Sequence, residues 1–328
     1  MAAATPDFAL GAFAEGDRPF LGLVVADRVL DLSTATSAPS LADLDVLALL
    51  GSWDVSFPVL AGLAADSGAG TWRPRAGLAV RAPLRPRQIL QAGANYRTHV
   101  IDLAVKHADL SGGRTEEQVR GETAAMMDRR AAEGIPYLFI GLPSAITGPY
   151  DDVVLPACSQ QHDWELELAA VIGASARRVP RDRALRHVAG YTIVNDLTTR
   201  DLVFRRDMPE IGTDWFRAKN APGFLPTGPY LVPAAFAGDP ADLRVTLKLN
   251  GQVMQDESTK DMIFDVAALV SAASQTTRLL PGDLVLTGSP AGNGLHHGRL
   301  LRPGDVMEGS ITGLGTQRTR CVAEEAGR

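Results

Sequence analysis

Residues 162–173, His-Asp-Trp-Glu-Leu-Glu-Leu-Ala-Ala-Val-Ile-Gly, constrain this chain more than any other stretch. In an extended chain alternate side chains share a face, so Glu165 and Glu167 project one way and Leu166 and Leu168 the other. The continuation Ala169-Ala170-Val171-Ile172 is a buried run. Two carboxylates side by side on a strand that enters a core repel each other, and a divalent cation is the best offset. A second β-branched run, Tyr191-Thr192-Ile193-Val194-Asn195-Asp196, also ends on an acid. If the two strands are neighbours, Asp196 completes a three-carboxylate site. Three oxygen anions, with no Cys and no obligatory His, suit Mg²⁺ or Mn²⁺ rather than Zn²⁺. The competing arrangement places Glu165 and Glu167 on the solvent face of an edge strand.

Composition narrows the class. Of 328 residues, 45% are hydrophobic and 21% charged, which is ordinary for a globular protein of one large domain and a smaller one. A net charge of −6 argues against nucleic-acid binding as the main task. No apolar run approaches the roughly 20 residues of a membrane span. Residues 1–7 lack the basic and apolar regions of a signal peptide. The two cysteines, Cys158 and Cys321, match no metal spacing and are too few for a disulfide scaffold. The expectation is a soluble, cytoplasmic protein. Glycines and prolines cluster at turns, which signals many short strands.

In chain order, residues 8–13, 20–25 and 28–32 read as short strands, with Glu15-Gly16-Asp17 as the first turn. Ser40-Leu41-Ala42-Asp43 has the form of a capping box opening a short helix that Gly51 closes. Leu41, Leu44, Leu47 and Leu50 form one stripe at three-residue spacing, and a further helix is predicted over 59–65. Residues 81–87, stiff and polar, read as a linker. This makes 1–84 a small N-terminal α+β lobe with nothing catalytic in it, and 85–328 the catalytic domain.

In that domain, His99 and Asp102 are three apart and share a face on a helical turn. A carboxylate beside an imidazole orients the ring and raises its basicity, as a general base requires; a surface or capping role is the ordinary alternative. Thr115-Glu116-Glu117-Gln118 caps a charged helix to about Glu133, stopped by Gly134. Its few large apolar residues suggest that it lies over a surface or covers a cleft. Lys219 is either a solvated surface residue or the cation that balances the carboxylates and binds an anionic substrate. Alternation over 243–249 followed by Asn250-Gly251 is the strongest hairpin signal. An amphipathic helix is predicted over 265–279. A strand then leads into the Gly-rich loop 288–294, which has neither the P-loop lysine nor Rossmann spacing. Two more strands end the chain.

Five segments, Gly93-Ala94-Asn95-Tyr96-Arg97-Thr98-His99, Asp163-Trp164-Glu165-Leu166-Glu167, Asn195-Asp196-Leu197-Thr198-Thr199-Arg200-Asp201, Lys219 and Thr287-Gly288-Ser289-Pro290, resemble the fumarylacetoacetate hydrolase superfamily in order and approximate spacing. The resemblance runs from about Ile89 to Val322. It implies a mixed α+β fold, mostly β, with a β-roll-like catalytic domain. It also implies Mg²⁺ or Mn²⁺ on Glu165, Glu167 and Asp196, and His99 as general base with its acidic partner Asp102. Lys219 and Thr287 would lie around the substrate, with Tyr96, Arg97 and Arg200 as further candidates for substrate contact. Members act on 2-oxo acids and 1,3-dicarbonyl compounds by C–C hydrolysis, decarboxylation, tautomerisation or hydration, and are usually homodimers.

Four departures stand out. Asp102 replaces the usual Glu, Val203 stands where a substrate-binding Gln is common, Gly141 stands where a Lys is frequent, and 112–134 is longer than in many members. Val203 and Gly141 point to a bulkier or less charged substrate. The reading is a metal-dependent hydrolase cleaving a C–C bond. Its rivals are a decarboxylase, tautomerase or hydratase, and a metal-stabilised binding protein that has lost catalysis.

Overall fold

The computed structural model describes residues 7–41, 44–108 and 113–325. The run after Glu165 forms the strand Leu166–Ile172, buried at every position. It sits inside a six-stranded sheet ordered Val232–Pro233, Val188–Asn195, Leu166–Ile172, Leu284–Leu286, Ile89–Gly93, Tyr137–Gly141. Neighbours are antiparallel except Leu284–Leu286 with Ile89–Gly93, which run parallel. Because Leu166–Ile172 is paired on both sides, the edge-strand arrangement does not apply. Leu166 pairs with Asn195, and the next step brings Asp196 N–H to the Glu165 carbonyl at 2.8 Å. Register alone therefore sets Glu165 opposite Asp196.

A five-stranded sheet packs against this one, ordered Gln252–Ser258, Arg244–Leu249, Val306–Ile311, Gly315–Ala323, Val153–Leu155. Its first turn is the predicted Asn250-Gly251, with φ of 51° and 83°, the left-handed pair that a two-residue hairpin of this type needs. Val245, Leu247 and Leu249 face inward and join Trp164, Leu166 and Leu168 in one core. At Gly309 the sheets approach closely: a Cβ there would lie 2.6 Å from Leu166 Cδ1.

The N-terminal sheet is antiparallel throughout, ordered Trp72–Pro74, Arg28–Asp31, Arg18–Val25, Ala9–Glu15, Ala79–Arg81. Leu10 and Leu231 exchange backbone hydrogen bonds of 2.9 and 2.8 Å. Phe13 and Val24 belong to the core around Trp164. Leu10, Leu23 and Leu30 belong to the one that holds Ala169, Val171 and Leu286. The architecture is mixed α+β, mostly sheet, and the described strands form no closed barrel.

The helices depart from sequence expectation in their starts. The capping box at Ser40 to Asp43 lies partly outside the described residues; the helix runs Val46–Gly51, capped by Asp45, whose carboxylate accepts from Ala48 N–H at 2.7 Å. The next begins at Trp53 rather than 59 and runs to Ala65 with Pro58 inside it. The proline lies one residue before the predicted start. Thr115 and Gln118 do form a reciprocal capping box, and Gly134 ends the helix Glu116–Glu133. Among the described residues, no helix is long and apolar enough to cross a membrane.

Candidate metal centre and active site

The ends of the two central strands gather the acids. Glu165, Glu167 and Asp196 are all buried and offer oxygens within 4.8 Å of one another. Lys219, the last residue of the short helix Trp215–Lys219, is 2% exposed. Its Nζ donates to Glu165 Oε2 at 2.5 Å, Asp196 Oδ2 at 2.5 Å and the Asp196 carbonyl at 3.1 Å. Arg200 donates from Nη2 to Glu165 Oε1 at 2.9 Å and from Nε to Asp163 Oδ2 at 2.7 Å. Gly288 N–H donates to Glu167 Oε2 at 2.8 Å. That approach needs glycine, since φ is +86° and a Cβ would meet the Ala92 carbonyl at 3.1 Å.

His99 lies on the helix Arg97–His107 and shares with the carboxylates the wall of a cavity of about 370 Å³. Glu165, Glu167, Asp196, Lys219, Arg200 and His99 share its wall with Leu103, Phe139, Val203, Phe204, Trp215 and Leu295. A larger groove of about 740 Å³ runs along Tyr137–Gly141, but no carboxylate or histidine lines it.

Charge is unevenly shared. Burial works against Glu165 ionising, yet Arg200 and Lys219 more than offset it and hold its pKa well below the usual carboxylate range. Burial, then the charge of Asp196, pushes Glu167 well above that range. Asp196 is pushed up to about 6 by burial, with Lys219 opposing. Burial would lower Lys219, but Asp196 and Glu165 raise it, so it stays an ammonium. Burial brings His99 down to about 4, so its ring is neutral near pH 7 and free to take a proton.

Asp196 Oδ1 is buried and has no hydrogen-bond partner, and neither do the two amide atoms of buried Gln91. An orphaned carboxylate oxygen among three converging acids, with two of those acids pushed towards protonation, fits a hard divalent cation held by oxygen. Asp196 must shed its proton to bind one. Affinity for Mn²⁺ is therefore expected to fall below about pH 6, where Asp196 titrates, by ~10-fold or more per pH unit, since Glu167 is also held towards its protonated form. Calorimetric titration checks this; equal affinity at pH 5 and 7.5 would take Asp196 out of the site.

The other predicted site residues lie elsewhere. Asp102 shares the helix with His99 but is not its hydrogen-bond partner. Its oxygens face Arg120 Nη1 at 3.0 Å and His296 Nδ1 at 3.7 Å. The reach of Arg120 from the helix Glu116–Glu133 takes the shorter side chain instead. Arg97 is engaged with Asp128 of that helix, at 2.9 Å. Tyr96 and Thr287 are fully buried, and Thr287 Oγ1 donates to the Leu168 carbonyl at 3.0 Å. None of Asp102, Arg97, Tyr96 and Thr287 is among the described residues of the cavity wall.

Sequence reasoning missed two supports. Asn95 donates to the carbonyls of Phe264 and Thr287 and accepts from Phe264 N–H, at 2.9, 2.8 and 2.9 Å, fixing the loop that carries Gly288. Asp163 accepts from the backbone of Gly294 and Leu295 while holding Arg200. Both residues stand inside recognisable segments, but only the folded loops supply their partners.

A family model of the fumarylacetoacetate hydrolase C-terminal domain matches residues 88–322, and the chain belongs to that family. A 2,4-didehydro-3-deoxy-L-rhamnonate hydrolase of Sphingomonas sp. (strain SKA58) is 45% identical over 188 residues, 56% of this chain and 64% of that protein. A mitochondrial oxaloacetate tautomerase of Homo sapiens is 39% identical over 182 residues, 55% of this chain and 57% of that one. The matched stretches thus span less than two thirds of these relatives. The crystal structure of maleylpyruvate hydrolase from Sphingobium sp. SYK-6, in complex with manganese(II) and pyruvate, superposes with a TM-score of 0.72 at 25% identity, covering 97% of this chain and 100% of that one. The relatives are enzymes, hydrolases and tautomerases.

Proposed function

We propose that this chain is a divalent-metal-dependent hydrolase that cleaves a C–C bond in an acylpyruvate-like 2-oxo acid or 1,3-dicarbonyl compound. One observation carries the reading: three converging carboxylates with an orphaned oxygen share a cavity with a neutral, buried histidine. Glu165, Glu167 and Asp196 would hold Mg²⁺ or Mn²⁺; manganese with pyruvate in the maleylpyruvate hydrolase structure supports this choice. Such an ion supplies a Lewis acid for the oxygens of the 2-oxo acid, on which negative charge builds as the bond breaks. Lys219 and Arg200 hold the carboxylates in place, and Lys219 adds positive charge beside the anionic end of the substrate.

His99 removes a proton from water, whose oxygen bonds to the distal carbonyl carbon. The C–C bond then breaks, its electron pair passes to the pyruvate-side carbon, and that carbon takes up a proton. The products are pyruvate and a carboxylic acid.

A second reading is tautomerisation, which needs a base but no water. It is favoured by the engagement of Asp102 with Arg120 and His296, so that no carboxylate is hydrogen-bonded to His99 among the described residues. Assay of acylpyruvates and oxaloacetate with and without Mn²⁺ separates the two. Chelation is expected to abolish release of pyruvate from acylpyruvates, and Mn²⁺ to restore it. Metal-dependent enolisation without pyruvate release would favour the tautomerase, and full turnover after chelation would dismiss both.

A further inference from the structure

We propose that Gln91 is a positioning residue of the metal centre: its amide donates to Oδ1 of Asp196 and so steers that carboxylate for the cation. The proposal rests on the reading of Glu165, Glu167 and Asp196 as cation ligands, and concerns how the third of them is held.

The sheet places the amide. Gln91 stands in the strand Ile89–Gly93, paired with Leu286 on one side and Phe139 on the other, and is fully buried. Its Oε1 lies against Gly141, where a Cβ would come within 2.5 Å of Oε1 and 3.0 Å of Cδ. A larger residue at 141 would push the amide aside, so the glycine keeps its place open. A carboxylate only accepts hydrogen bonds, so Nε2 is the end of the amide that serves Asp196, beside which it stands.

Buried polar atoms without partners are rare, because each has lost its hydration with nothing in return. Here both atoms of the Gln91 amide and the neighbouring Asp196 Oδ1 lack a well-formed hydrogen bond. The other Asp196 oxygen is already held, by Lys219 Nζ at 2.5 Å. A carboxylate oxygen carries two lone pairs, so Oδ1 can meet a cation with one and an N–H donor with the other. A neutral donor suits this position. Asp163, Glu165, Glu167 and Asp196 face the cations Arg200 and Lys219. Four acids against two cations leave two negative charges when all are ionised, which a divalent ion balances. A lysine or arginine at position 91 would upset that balance, whereas an amide supports Asp196 without altering it.

The test measures Mn²⁺ binding by calorimetry for wild type, Gln91→Met and Gln91→Leu, alongside thermal melts in chelator. Both replacements fill similar space and carry no donor. Each is expected to bind Mn²⁺ about 10–100-fold more weakly, the usual effect of removing a group that orients a metal ligand. Each should melt in chelator no lower than the wild type, since an unpartnered buried amide has been removed. A side chain that merely fills space predicts wild-type affinity instead, and that result in either folded variant overturns the proposal while leaving the metal centre in place. Weaker binding accompanied by a melt well below the wild type in chelator also overturns it, because the loss would then be one of packing. Failure of both variants to fold does the same, since the amide would be holding the fold rather than Asp196. If the wild type itself binds no Mn²⁺, the metal-dependent reading fails and this inference falls with it.

Discussion

Replacing His99 with alanine is expected to lower kcat by about 10²–10⁴-fold, the usual contribution of a general base, and to leave Mn²⁺ affinity unchanged. The two effects separate because His99 stands on the helix Arg97–His107, apart from the three strand-end carboxylates. Burial sets the sign of the pH dependence. With its pKa lowered to about 4, His99 stays neutral through the physiological range, so this base should not impose an acid limb near pH 6.5. The same shift means that charging His99 opposes folding. Its contribution to stability is complete above about pH 6.5 and is lost as pH falls towards 4. Steady-state kinetics and calorimetry on one preparation check both effects. A variant that hydrolyses acylpyruvates at the wild-type rate would remove His99 from the mechanism.

Lys219→Met should destabilise the metal-free protein by about 3–5 kcal/mol, the typical cost of removing one partner from a buried ion pair. Lys219 is a fully buried ammonium between Glu165 and Asp196, and without it Arg200 alone faces the acids. The variant should also gain more from Mn²⁺ than the wild type does, because the ion replaces the missing positive charge. Urea unfolding with chelator and with Mn²⁺ gives all four numbers. Equal stability of variant and wild type in chelator would mean that the cluster carries less negative charge than its geometry indicates.

How much of this was legible in the sequence depends on how local each feature is. Glu165 and Glu167 were readable because strand alternation and the apolar run after them act over a few residues, and Asp196 because its own strand ends on it. The Thr115–Gln118 box and the Asn250-Gly251 turn were readable for the same reason. The role of Asp102 was not. Three-residue spacing put it on the His99 face, but the choice of partner was made by Arg120, 18 positions away on a helix whose docking no spacing reveals. Pro58 hid the first turn of a helix that tolerates it. Gln91 gave no sign at all: it sits in an apolar-looking strand, and only the fold sets its amide beside Asp196.

The Asp196 to Glu165 backbone bond has a consequence for how such a chain can vary over evolutionary time. Two of the three converging acids are held opposite each other by the pairing of one antiparallel ladder, so the distance between them is written in strand register rather than in loop length. Loops joining the two strands can lengthen or shorten without touching the centre. One residue gained or lost within either strand, between the ladder and its acid, would turn a carboxylate to the opposite face. Insertions and deletions in descendants of this chain should therefore collect in the connection between residues 173 and 187 and spare the segments on either side of it.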